Sequence, residues 1–225
     1  MDFEQGEVLL VNKPLHWTSF DVVNKIRYAL RKKTGNKVKV GHAGTLDPLA
    51  TGLLIICTGK MTRKIDEYTG MDKAYTGTFL MGATTPSFDA ETAVDNTYPT
   101  GHITEAMLNE CAAGFIGEME QVPPVYSAIK IEGKAAYLHA RKGKEVEMKA
   151  RKATIRQFEL TRTALPEVDF RVVCTKGTYI RSLANDFGKV LHSGAYLKAL
   201  CRTAIGDFKL KDAWEIEALV NTIFE

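Results

Sequence analysis

Residues 41–57 read Gly41-His42-Ala43-Gly44-Thr45-Leu46-Asp47-Pro48-Leu49-Ala50-Thr51-Gly52-Leu53-Leu54-Ile55-Ile56-Cys57. Three glycines and a proline within the first twelve positions can continue neither a helix nor a strand, so residues 41–52 are expected to form a shaped loop. The loop delivers His42 and Asp47 to one place, as functional loops on a rigid scaffold do. The run Gly52-Leu53-Leu54-Ile55-Ile56-Cys57 has no polar alternation. It predicts a central strand buried on both faces, immediately after the loop.

Outward from this stretch the pattern is mixed. On the N-terminal side, residues 6–11 (GEVLLV) read as a short buried strand ended by Asn12-Lys13-Pro14. A helix follows, opened by the capping-box pair Thr18 and Asp21, with Val22, Val23, Ile26, Ala29 and Leu30 on one face and Gly35 to stop it. Residues 37–40 alternate like an edge strand. On the C-terminal side, helices are expected at 61–68, 105–115 and 135–141, the last ending at Gly143. Strands are expected at 74–81 and 126–131, over 146–163 as two strands or a ribbon, and at 168–175. Lys176-Gly177-Thr178 then opens a helix, strands lie near 197–210, and a final helix is capped by Asp212 and Glu215. Strands coming in runs favour an α+β domain around a mixed, mostly antiparallel sheet with flanking helices.

Length and composition suit one globular domain over residues 1–225, with neither repeats nor a clear linker. No apolar run approaches the roughly 20 residues that span a bilayer. The acidic start MDFEQGEVLL lacks the basic region of a secretory signal. Cys57, Cys111, Cys174 and Cys201 form no CxxC pair, which fits a reduced, cytoplasmic protein. The net charge of +3 conceals segregation. Residues 22–46 hold seven Lys/Arg and no acid, residues 74–129 hold seven Asp/Glu and no base, and residues 130–156 hold nine Lys/Arg against three Glu. Two basic blocks around an acidic one suggest a surface for a polyanion, although charge runs can also be solvated faces that cancel in space.

The loop lacks the spacing of a phosphate-binding loop, and Gly59-Lys60 is followed by Met61 rather than Ser or Thr. It also lacks the Gly-x-Ser-x-Gly of a nucleophile elbow. His16 and Asp66 lie near His42 and Asp47 in sequence but unpaired, so no metal is expected. A second stretch, Lys176-Gly177-Thr178-Tyr179-Ile180-Arg181-Ser182-Leu183, brings a strand through a glycine turn into a helix start bearing Tyr179 and Arg181. There Arg181 could hold a buried carboxylate by charge-assisted hydrogen bonds. Taken alone, the pair reads first as a surface arginine beside a core tyrosine.

Residues 41–52 resemble the signature loop of the TruB family, the tRNA pseudouridine-55 synthases. So do Asn12-Lys13-Pro14, the segment 123–143 (PPVYSAIKIEGKAAYLHARKG) and Lys176-Gly177-Thr178-Tyr179-Ile180-Arg181, in the family's order from Val8 to Ile205. The resemblance implies the pseudouridine synthase fold and isomerisation of uridine 55 in the T-arm stem-loop of tRNA, with no cofactor. It makes Asp47 the catalytic nucleophile and His42 the residue that enters the RNA where the target base has left its stack. It makes Tyr75, in Lys73-Ala74-Tyr75, the residue that stacks on the flipped base and assists proton removal. Tyr179 and Leu200 become pocket residues, Arg181 the partner of the aspartate, and Lys13 and Pro14 the support of the active-site loop. It implies a monomer with no obligate protein partner and no membrane association.

The residues make that chemistry intelligible. Moving a sugar–base bond from nitrogen to carbon needs one ionised carboxylate, and a paired arginine keeps such a group charged in a dry pocket. A stacked base is out of reach, so it must be flipped and the gap filled. An aromatic face holds the extruded base at roughly 1–3 kcal/mol. Two features depart from the family pattern. Cys201-Arg202 stands where many relatives have Arg-Arg after the pocket leucine. Residues 206–225 are also too few for a C-terminal RNA-binding (PUA) domain and read as a short extension. Competing functions are an RNA-binding or RNA-folding protein without catalysis, a hydrolase, and a synthase for another RNA site, guide-RNA-dependent relatives included. The hydrolase would need two cooperating carboxylates, and no second acid accompanies Asp47 in its loop.

Overall fold

The computed structural model describes residues 1–127, 129–131, 133–142, 144 and 146–225. The chain divides into two compact units, Met1–Thr76 with Leu200–Glu225, and Gly77–Ala199. The first unit opens with β1 (Val8–Lys13), α1 (Ser19–Thr34), β2 (Val40–Ala43), β3 (Ala50–Thr58), a 3-10 turn at Gly59–Lys64 and α2 (Ile65–Gly70). The chain leaves it through β4 (Lys73–Met81).

In the second unit follow β5 (Ala83–Thr84), β6 (Asn96–Thr97), α3 (Glu105–Gly114), β7 (Gly117–Gln121), β8 (Lys130–Ile131), β9 (Lys134–Ala135) and α4 (Ala136–Ala140). Then come β10 (Arg151–Ala164), β11 (Glu167–Cys174) and α5 (Ile180–Val190), and β12 (Ala195–Ile205) carries the chain back. The first unit closes with β13 (Phe208–Lys209), β14 (Trp214–Glu215) and α6 (Ile216–Phe224).

The first unit is built on β3. It pairs antiparallel with β1 and β2 and parallel with residues 200–202 of β12, while β1 pairs parallel with β14. The unbroken apolar run is explained by burial on both sides. Leu54 and Ile56 face the cluster under α1 and α6, with Val22, Ile26 and Leu219. Leu53, Ile55 and Cys57 face the cluster with Tyr68 of α2 and Ile205. α1 is capped as its sequence predicts. The Thr18 side chain accepts from the Asp21 amide, Asp21 accepts from the Thr18 amide, and Gly35 closes the helix in the left-handed region. No helix among the described residues is long and apolar enough to cross a membrane.

In the second unit the strands run in the order β4, β11, β10, β7, with β10 antiparallel to both β11 and β7. Its core is aromatic: Phe79, Phe158, Phe170 and Phe187 lie with ring centroids 4.2–6.2 Å apart.

Several expected boundaries move. The edge strand expected at 37–40 begins at Val40 and carries His42 inside it, so the irregular loop shrinks to residues 44–49. Residues 146–163 form neither two strands nor a separate ribbon: one long strand runs from Arg151 to Ala164, bent by register shifts near Gln157 and Arg162. The helix expected over 61–68 divides into the 3-10 turn and α2. β7 carries no strand signal in the sequence, because Gly117-Glu118-Met119-Glu120-Gln121 buries one end only. The expected helix stop at Gly143 lies outside the described residues. The final helix has Glu215 as its cap without a side-chain bond, and Asp212 sits in a short 3-10 turn.

Candidate active site

In the first unit, β2 and β3 form a hairpin whose closed end is the 44–49 loop. The pairing of Ala43 with Ile55 and of Val40 with Thr58 sets its register. The N-terminus of α1 holds the loop from one side. Ser19 Oγ accepts from the Leu46 amide at 2.8 Å and donates to the Leu46 carbonyl at 3.1 Å. The His16 amide donates to the Pro48 carbonyl at 2.8 Å, and the Ala50 amide to the Asp47 carbonyl at 3.0 Å. Asp47 is thereby half-buried at a turn whose backbone is tied on both flanks. His42 stands at the end of β2, also half-buried. Burial and then the Arg202 cation lower its pKa, so its imidazole is neutral at pH 7.

Lys13 and Pro14 lie next to this loop. Lys13 is fully buried, and its amine donates to the carbonyls of Pro14 at 3.0 Å and Trp17 at 2.6 Å. Burial pushes its pKa down to about 8, and the charge of Asp47 opposes that fall. Lys73, also buried, donates to the carbonyls of Thr69 and Met71. Two residues further along β4, Tyr75 is buried. Leu200 pairs in parallel register with Ala50, at the loop's exit, and its carbonyl accepts from Thr51 Oγ1 at 3.4 Å. The fold of this unit thus brings Lys13, Pro14, His42, Asp47 and Leu200 to one end of the β2–β3 hairpin.

The second unit places Tyr179 and Arg181 at the start of α5. Gln121 of β7 grips the Tyr179 backbone, accepting from its amide at 2.7 Å and donating to its carbonyl at 3.0 Å. Arg181 is buried, so the surface reading of this residue is overturned. Its Nη1 donates to the Tyr126 carbonyl at 2.8 Å and lies 3.5 Å from Asp89 Oδ2. Asp89 is buried too and accepts at Oδ1 from Ser87 Oγ at 2.6 Å and from the Glu91 amide at 2.9 Å. Asp89 was not legible as a site residue, because a lone acid in the loop Ser87-Phe88-Asp89 carries no spacing signal.

The first basic block is partly consumed by the fold. Lys25 pairs with Glu217, Arg27 donates to the Val40 carbonyl and Lys33 to the Phe224 carbonyl. Lys37, Lys39, Lys60 and Arg63 line a cleft of about 460 Å³ at the open end of the β2–β3 hairpin, with Glu4 as its acid. Among the described residues no cluster of His, Cys, Asp or Glu could hold a metal.

Known proteins give this geometry its context. Residues 31–180 match the family described as TruB family pseudouridylate synthase (N terminal domain). A Flavobacterium johnsoniae protein named tRNA pseudouridine synthase B is 57% identical over 100% of this chain and 96% of its own length. The protein of that name from Phocaeicola vulgatus is 56% identical over 97% of this chain and 93% of its own. A crystal structure of a Cbf5-Nop10-Gar1 complex holds a chain that superposes with a TM-score of 0.74 at 28% identity. The match covers 97% of this chain and 54% of that one, so this chain spans about half its length. The α+β pseudouridine synthase fold expected from the sequence motifs is borne out. On the family match and the near full-length identity of its relatives, the chain belongs to the TruB family of pseudouridylate synthases.

Proposed function

We propose that this pseudouridine synthase isomerises uridine 55 in the T-arm of tRNA, with Asp47 as the nucleophile acting on a nucleotide flipped from its stack. The observation that carries this reading is the fixed presentation of Asp47. The aspartate sits in a six-residue loop tied through Ser19, His16 and Ala50, next to the buried cation Lys13. A reaction that rebuilds a bond at one carbon gains from a group held in place before the substrate arrives. The names of the full-length relatives support tRNA as the substrate.

In this reaction the bond from the ribose to N1 of uracil breaks, the base rotates, and a bond from the ribose to C5 forms. The proton on C5 is lost and N1 regains one, so no oxidant or cofactor is required. Tyr75 and Leu200 bound the flipped base, and stacking on the tyrosine contributes roughly 1–3 kcal/mol. His42, neutral at pH 7, can enter the vacated stack without placing a charge among the bases. Tyr179 keeps the pocket role that the third sequence motif implies, and Lys13 and Pro14 support the loop.

Tritium release from a tRNA transcript labelled at C5 of uridine tests this directly. The native protein should release label from position 55 only. Asp47→Ala should release none while still binding the transcript. Appreciable product from Asp47→Ala would remove the nucleophile, and release that survives replacement of uridine 55 by cytidine would move the target.

A further inference from the structure

We propose that Arg202 is the positioning residue of the Asp47 loop, a buried guanidinium brace that sets the loop before RNA binds. The proposal rests on Asp47 as the reacting group. Arg202 is 1% exposed and lies among the largest fully buried side chains of the protein. At that burial it is not a phosphate contact, although it is the arginine retained in Cys201-Arg202. Among the described residues it forms no ion pair with an acid. Its described hydrogen bonds go to backbone carbonyls: Nε to Leu53 at 2.8 Å, Nη2 to Gly44 at 3.1 Å and Nη1 to Thr45 at 3.4 Å.

These three carbonyls define the loop. Gly44 and Thr45 are its first two residues, and Leu53 lies in β3 just beyond its exit. The planar fork of one arginine therefore ties the start of the loop to the strand that receives its end, with Asp47 between them. A lysine offers its donors from one point and cannot reproduce that spread. Burying an unpaired charge is costly, and a core position that needed only volume would hold an apolar side chain.

Two glycines fit the brace. Gly52, at φ +105°, stands opposite Arg202 in the β3–β12 register. A Cβ there would meet the Arg202 carbonyl oxygen at 2.4 Å and its nitrogen at 2.7 Å, so only glycine lets the two backbones meet. Gly44, at φ +85°, takes the left-handed conformation in which its carbonyl meets the guanidinium. The motif residues Gly44, Gly52 and Arg202, separated in sequence, thus serve one contact. The same cation lowers the pKa of His42 and of Lys13, so it also shapes the electrostatics of the loop's neighbours.

The experiment compares Arg202→Lys, Arg202→Met and Asp47→Ala with the native protein on one tRNA transcript. It reads the single-turnover rate at saturating RNA, the RNA dissociation constant and the melting temperature. A displacement of about 1 Å in a reacting group can cost about 100-fold in rate, so both Arg202 variants should slow by about that factor. The dissociation constant should stay unchanged, because Arg202 does not touch RNA.

A native rate in Arg202→Lys would overturn the brace, since charge alone would then suffice. Rate and affinity falling together would also overturn it, by showing general collapse of the fold. Should neither variant fold, amide exchange in the RNA-free native protein decides the question. The Leu46 and Ala50 amides should be protected like those of β3, and free exchange there would show that no loop is set in advance. If Asp47→Ala alone kept its turnover, the nucleophile would be wrong while the exchange result on the brace stood.

Discussion

Lys13 shows how one buried amine makes stability depend on pH. Its folded pKa of about 8 lies below the value of 10.5 that it has when exposed. Between these values the unfolded chain holds the proton that the folded chain has released, so stability rises with pH through that window. The charged amine therefore costs the native state about 3 kcal/mol at neutral pH, a cost relieved by pH 10.5. Urea denaturation of the native protein and Lys13→Met should show the native protein gaining on the variant by up to that amount between pH 8 and 10.5. A pH-independent difference would mean the amine is hydrated.

Arg181 belongs to the same scale. It is 5% exposed at its side chain and paired with Asp89, 7% exposed. Arg181→Met leaves a buried carboxylate without this partner, which typically costs about 3–5 kcal/mol. Turnover at saturating RNA should fall far more than affinity. A variant that bound RNA poorly yet turned over normally at saturation would make Arg181 a phosphate contact. The burial of Arg181 and the role of Asp89 were hidden in the sequence, because neither the helix start nor the Ser87-Phe88-Asp89 loop says which groups will face each other.

At the scale of elements, α1 is both a packed helix and a clamp. Its hydrophobic face and both caps were readable, because each depends on residues a few positions apart. Its grip on the loop was not, because Ser19 and Leu46 are 27 positions apart. The two roles can be separated. Thr18→Ala removes the cap and should cost about 1 kcal/mol while leaving turnover at saturation unchanged. Ser19→Ala strands a buried amide and carbonyl, should cost about 1–3 kcal/mol, and should also slow turnover. Equal rates in the two variants, measured beside their melting temperatures, would show that α1 does not hold the loop. β10 teaches the converse lesson. Its residues alternate poorly because register shifts interrupt the ladder, so local pattern alone leaves two strands or a ribbon where one strand runs.

For the whole molecule the predicted quantity is the salt dependence of RNA binding. The basic block at 22–46 has given Lys25, Arg27 and Lys33 to contacts within the protein, while Lys32, Arg151 and Lys152 remain exposed. Affinity for the tRNA transcript should fall steeply with salt. Neutralising Lys32, Arg151 and Lys152 should flatten that slope by about one unit per cation, with little change in sequence preference. Lys25→Gln should leave the slope unchanged, because that cation already faces Glu217. A slope unmoved by the first three would show that neither block meets phosphate.

The sequence by itself determined the family, the shaped loop that bears Asp47 and most secondary structure. Turn chemistry, helix caps and apolar periodicity act over a few residues and are written in adjacent letters. Gly41-His42-Ala43-Gly44-Thr45-Leu46-Asp47-Pro48 could be read as a shaped loop bearing one acid without knowing what surrounded it. Only the tertiary structure decided what holds that acid. Arg202 reaches Gly44 and Thr45 across more than 150 positions of chain. Ser19 meets Leu46, Lys13 loses its water, and Asp89 finds Arg181. A buried charge takes its meaning from the carbonyls and carboxylates that folding places within about 3 Å of it, and hydrogen-bond geometry at that range has no counterpart in sequence spacing.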